Sequence, residues 1–109
     1  MITVSVERNQ SNDIVSFTMS GHADSGPHGH DLVCAGASAV SFGSINAIAA
    51  LCGVELDIEM EDEGGFLRCS VPRGLESGIY EKVQLLLEGM IVALQSMAEE
   101  YSAYIEITK

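Results

Sequence analysis

Apolar and polar residues alternate from the start of the chain, with Ile2, Val4 and Val6 set against Thr3, Ser5 and Glu7. A two-residue period sends successive side chains to opposite faces, which predicts a strand with one covered face. Ile14 to Met19 is rich in β-branched residues and predicts a second strand. Asn9 to Asp13 carries turn-forming residues between them, so the two strands are expected to form an antiparallel hairpin. The pattern returns with Leu56, Ile58 and Met60 against Glu55, Asp57 and Glu59, then with Leu67, Cys69 and Val71 against Phe66, Arg68 and Ser70. Gly64 and Gly65 supply the turn of this second hairpin.

One helix separates these hairpins and a second follows them. Residues 32–54 carry no charge, and a helix is expected from Leu32 to Leu51, with Asp31 as N-cap and Gly53 ending it. Its apolar residues, among them Val33, Ala37, Val40, Ala47, Ile48 and Leu51, leave no charged face. The helix is therefore expected to be covered on two sides, by the sheet and by a second helix or a second subunit. The stretch is long enough to cross a bilayer. Ser38, Ser41, Ser44, Asn46 and three glycines interrupt it, and Asp31 and Glu55 flank it in place of Lys or Arg, so a buried helix is the better expectation. From Glu76 to Glu100, the residues Ile79, Val83, Leu86, Leu87, Met90, Leu94 and Met97 recur at helical steps and predict an amphipathic helix. Tyr104, Ile105 and Ile107 suit a short last strand. The order ββαββαβ predicts a single α+β domain over residues 1–109, a two-layer sandwich in which a mainly antiparallel sheet packs with two long helices.

Charge narrows the partners. Sixteen acidic residues against five basic ones give a net charge of −11. Binding phosphates needs Lys and Arg gathered on one face, so nucleic acid and anionic membrane are poor partners. The same field attracts a cationic peptide or protein. The three cysteines, Cys34, Cys52 and Cys69, form no C-x-x-C pair and no even framework. With an N-terminus lacking the pattern of a secretory signal, they lead to the expectation of a reducing, cytoplasmic setting.

The segment Gly21 to His30, GHADSGPHGH, has neither helical nor strand period and reads as a loop running into the uncharged helix. Long loops in small domains tend to carry function. Cys34 falls near the third position of that helix, where unpaired amides and the helix dipole favour a thiolate. An imidazolium at His22 would favour it further, then act as general acid and general base, and the amides around Cys34 could receive an oxyanion. On the residues alone Cys34 keeps a second reading, the small buried hydrophobe that most free cysteines are. Cys52 and Cys69 take that reading outright. Asp31 can cap the helix and orient His22, yet its charge three residues before Cys34 opposes a thiolate. Asp24 is a reserve partner for His22. A rival arrangement is a zinc site from His22, His28, His30 and Cys34, but their spacing fits no zinc pattern of derivable geometry. No cofactor is expected, and the loop has no phosphate-binding glycine motif.

The string Gly21-His22-Ala23, followed by Asp31-Leu32-Val33-Cys34-Ala35 and then Ser38, resembles the bacterial ribosomal-processing cysteine protease family, Prp, over essentially the whole chain. The resemblance implies a homodimeric protease that removes a short N-terminal extension from a basic large-subunit ribosomal protein, cutting after an aromatic pair. It implies a dyad of His22 and Cys34 with Asp31 in support. It also implies a substrate loop that includes Gly21, Ala23, Asp24, Gly26 and Gly29 and that closes over the peptide. Where the family continues with Ala and Val after Cys34-Ala35, this chain has Gly36 and Ala37, which puts the shape of the pocket in question.

Overall fold

The computed structural model describes residues 1–24, 26–27 and 31–108. Strand β1 (Ile2–Arg8) pairs antiparallel with β2 (Ile14–Ser20). Their turn is held by the Asn9 side chain, whose Oδ1 accepts from the amides of Ser11 at 2.9 Å and Asp13 at 3.0 Å. Helix α1 (Leu32–Cys52) follows, then β3 (Asp57–Met60), β4 (Phe66–Ser70), helix α2 (Ser77–Glu100) and β5 (Ile105–Thr108). The expected order of elements is the observed one. The sheet runs β3-β4-β2-β1-β5, antiparallel except where β5 lies parallel to β1.

Register explains the two layers. Val4 faces Met19, Val6 faces Phe17, and Phe17 and Met19 face Cys69 and Leu67 of β4. These residues share one side of the sheet and meet both helices in a single cluster with Val33, Ala37, Ile48, Val83, Leu87 and Leu94. Residues between them in the alternation, such as Ser5, Thr18 and Arg68, lie on the other face. Three α2 side chains one turn apart fasten the helix to the β1–β2 hairpin. The Tyr80 hydroxyl donates to Asp13, Gln84 both accepts from and donates to the Ile14 backbone at 2.8 Å, and Glu88 takes Arg8 in a two-point ion pair at 2.6 and 2.8 Å.

Two expectations need adjustment. In β3 the apolar residues of the alternation are not covered: Ile58 and Met60 are 42% and 61% exposed. The strand is the sheet's edge, with a neighbour on one side only. Helix α1 buries just one stripe, Val33, Ala37, Ser41, Ile45 and Ile48. Leu32, Phe42 and Leu51 stay exposed. Its length and composition would also suffice to cross a membrane, but here the stripe forms part of the core. Helix α2 packs along α1 and supplies the second cover expected beside the sheet, while the side that carries Leu32, Phe42 and Leu51 is left open by the described residues of the chain.

Candidate active site

The helix start holds Cys34 where its backbone chemistry is most useful. Asp31 has extended backbone and its Oδ1 accepts from the Cys34 amide at 3.0 Å, the N-cap bond anticipated from its position. Cys34 is thereby the third residue of α1, and its half-buried thiol faces the preceding loop. There the amide of Ala23 donates to Cys34 Sγ at 3.3 Å. Negative charge developing on that sulfur would meet an oriented N–H and the positive end of a 21-residue helix.

That commitment of amides changes one expectation. The Cys34 N–H is taken by Asp31 Oδ1 and the Ala35 N–H by the Asp31 carbonyl at 3.0 Å. These two amides hold the helix start together and are not open to an oxyanion. The N–H that points at the Cys34 sulfur comes from Ala23. Ala23 is buried and anchors the loop against the core, a role its small apolar side chain in a polar stretch hinted at.

His22 is set by contacts that its neighbours in sequence do not reveal. Gly21 has a left-handed backbone, φ +87°, and its N–H donates to the Gly65 carbonyl at 2.8 Å. Any Cβ on Gly21 would collide with the Met1 carbonyl oxygen. Gly65, also left-handed, lies so close to the imidazole that a Cβ there would stand 2.9 Å from His22 Nε2. The Gly-Gly dipeptide marked a turn, but nothing local in the sequence ties that turn to His22. Asp24 adopts φ +56°, which keeps the chain turning after Ala23.

His22, Cys34 and Ser38 border two hollows at once. One, of about 230 Å³, is walled by Met19, Ala37, Phe42, Met60, Phe66 and Leu67, with Glu61 and Glu63 at its edge. The other, of about 360 Å³, is bordered by Asp24, Gly26, Asp31 and Ala35 and so carries two carboxylates. The structure thus brings together His22, Cys34, Asp31, Asp24 and Gly26 from the expected set. Gly29, His28 and His30 lie outside the described residues, as does the closure of the loop that they belong to. Among the described residues no group of three or more His, Cys, Asp or Glu is arranged to hold a metal ion. Gly36 turns away from the groove: a Cβ there would meet Met97 Cε of α2 at 3.0 Å, so its smallness serves helix packing, while Ala37 lines the groove wall.

Comparison with known proteins points to a cysteine protease family. The family model described as cysteine protease Prp matches residues 1–106. The ribosomal processing cysteine protease Prp of Bacillus subtilis is 40% identical over 108 residues, covering 99% of this chain and 96% of that protein. The protein of the same name from Staphylococcus aureus is 43% identical over 107 residues, covering 98% and 97%. A crystal structure of the essential ribosomal processing protease Prp from S. aureus, with a covalently linked product peptide, matches with a TM-score of 0.90 at 42% identity and covers 99% of this chain and 98% of that one. A second, with a substrate peptide, matches at 0.83 and 41% identity over the same shares.

The three thiols differ in setting. Cys69 is 1% exposed on the core face of β4, and burial pushes its thiol up to about 11 from the usual 9.0. A thiol whose folded value is raised favours folding below the unfolded value, and that contribution is lost as pH climbs from about 9 towards 11. At neutral pH, brief treatment of the folded protein with iodoacetamide is expected to label Cys34 and spare Cys69, read by peptide mapping. Labelling of Cys69 at the rate of Cys34 would contradict this assignment of environments.

Proposed function

The chain belongs to the cysteine protease Prp family, and from that premise we propose that Cys34 is its nucleophile, His22 its general acid and base, and a basic large-subunit ribosomal protein with an N-terminal extension its substrate. The observation that carries this reading is the pairing of the Ala23 N–H with Cys34 Sγ at the start of α1, with His22 bordering the same two hollows. The Cys34 thiolate attacks the carbonyl carbon of the scissile bond and forms a C–S bond. The tetrahedral intermediate collapses, the C–N bond breaks, and His22 gives its proton to the departing amine. Water then attacks the thioester, His22 takes its proton, and the sulfur leaves as thiolate with the extension released as a carboxylic acid.

The two hollows suit the two sides of such a cut. The groove walled by Met19, Ala37, Phe42, Met60, Phe66 and Leu67 takes apolar side chains, aromatic ones above all, from the extension before the scissile bond. The acidic hollow with Asp24 and Asp31 takes the start of the basic mature protein. Of the sixteen acidic residues, Glu55, Asp57, Glu59, Glu61, Asp62 and Glu63 follow one another along β3 and its turn, a field that steers a cationic substrate towards this end of the sheet. Asp31 supports the site through the cap that fixes Cys34. The cytoplasm is the proposed location, in keeping with three free cysteines.

A second copy of the chain is the proposed cover for the exposed uncharged side of α1, where Leu32, Phe42 and Leu51 are 84%, 38% and 73% exposed. Sedimentation equilibrium at micromolar concentration is expected to give twice the 11.6 kDa chain mass; a monomer throughout would reject this part.

For the activity, the protein is incubated with a bacterial large-subunit ribosomal protein carrying its extension, and intact masses are followed. Wild type is expected to release the extension. Cys34→Ala and His22→Ala are expected to lose the cut by a factor on the order of 10³ or more, as removal of a nucleophile or its base does in comparable sites. Undiminished cleavage by Cys34→Ala would overturn the reading. Salt-sensitive binding of the ribosomal protein with no change of mass would point to a noncatalytic acidic module instead.

A further inference from the structure

The turn between β3 and β4 approaches His22 more closely than any side chain would allow. Gly65 has φ +82°, its carbonyl accepts the Gly21 N–H at 2.8 Å, and the space where its Cβ would stand is occupied by the imidazole. Built on the backbone, that Cβ would lie 2.9 Å from His22 Nε2, 3.4 Å from Cε1 and 3.7 Å from Cδ2. The ring therefore leans on the turn along one edge. The backbone that carries it is fixed as well, since Gly21, the residue before it, is hemmed by the Met1 carbonyl. An imidazole that must exchange protons with two different partners in succession gains from a wall that limits its swing.

We infer that Gly65 is a positioning residue for the peptidase reaction: its missing side chain and its carbonyl together set the placement of His22 relative to Cys34. The inference rests on His22 being the acid and base of the proposed reaction. It also links the groove to the dyad. Glu61, Glu63 and Phe66 of the same hairpin line the apolar groove, so a peptide side chain seated there bears on the turn that supports the imidazole.

Gly64 offers a matched comparison, because it has nearly the same backbone, φ +80°, yet a Cβ there would meet nothing within 4 Å. Alanine at either position incurs the same left-handed strain. Only at 65 does it displace His22. Gly64→Ala and Gly65→Ala are compared in full-length protein for thermal unfolding, for kcat and KM on the extension-bearing ribosomal protein, and for the imidazole proton and carbon resonances of His22. The two variants are expected to lose similar amounts of stability. Gly65→Ala alone is expected to shift the His22 resonances and to lower kcat roughly 10²-fold below Gly64→Ala, the scale of a displacement of about 1 Å in a catalytic group, with KM little changed. Equal kcat values and unshifted resonances in the two variants would overturn the inference. Should Gly65→Ala fail to fold at the assay temperature while Gly64→Ala folds, both are measured at low temperature in an osmolyte that favours the compact state, and equal kcat values there would equally overturn the inference. An active His22→Ala protein would instead overturn the reaction on which it rests, which keeps the two failures apart.

Discussion

Three backbone segments meet around Gly21, and their closeness is the constraint on which the site depends. The Gly21 amide bonds to the Gly65 carbonyl at 2.8 Å while the Met1 carbonyl occupies the place a side chain would need. The end of β2 is thus pinned both to the first residue of the chain and to the turn of the second hairpin. From that fixed point the chain has only His22 and Ala23 to place before the Ala23 amide reaches Cys34 Sγ at 3.3 Å. The sheet's register determines where Gly21 sits, and Gly21 in turn sets where the chain carries His22 along the hollows that Cys34 also lines.

The helix completes the arrangement from the other side. Its N-cap bond from Asp31 Oδ1 fixes the start of α1 to within one residue, and with it the direction in which the Cys34 side chain leaves the helix. The cap carboxylate sits on the Cys34 amide itself, so its charge opposes negative charge on the sulfur that the helix dipole and the Ala23 N–H favour. Cys69, packed between the sheet and the helices, is pushed towards the protonated form by burial, whereas the Cys34 sulfur lies at a helix start against the Ala23 N–H.

Much of this could be read from residue order. The alternations at Ile2 to Val6 and at Leu67 to Val71, the cap at Asp31, the left-handed Gly53 and the α2 stripe are local patterns, and local patterns survive folding. Two things were less accessible. The coverage of β3 depends on its place at the sheet's edge, which no period encodes, so Met60 became a groove wall and not a core residue. The support of His22 by Gly65 and of Gly21 by Met1 joins residues far apart in sequence whose only local mark is the absence of a side chain. The motif around Gly21-His22-Ala23 and Asp31 to Cys34 pointed to the Prp family, and the match over residues 1–106 shows that family. The amide that reaches the sulfur, from Ala23, was hidden because every residue contributes an identical N–H.

The account stands on the sulfur of Cys34 carrying the acyl group through the reaction. The most direct measurement is an acid quench of wild-type protein within the first turnover on its extension-bearing substrate, followed by peptide mapping of the thioester that acid preserves. The account predicts the extension, joined through its C-terminal carbonyl, on the peptide containing Cys34. An adduct on the peptide containing Cys52 or Cys69, or rapid cleavage with no adduct at any quench time, would contradict it.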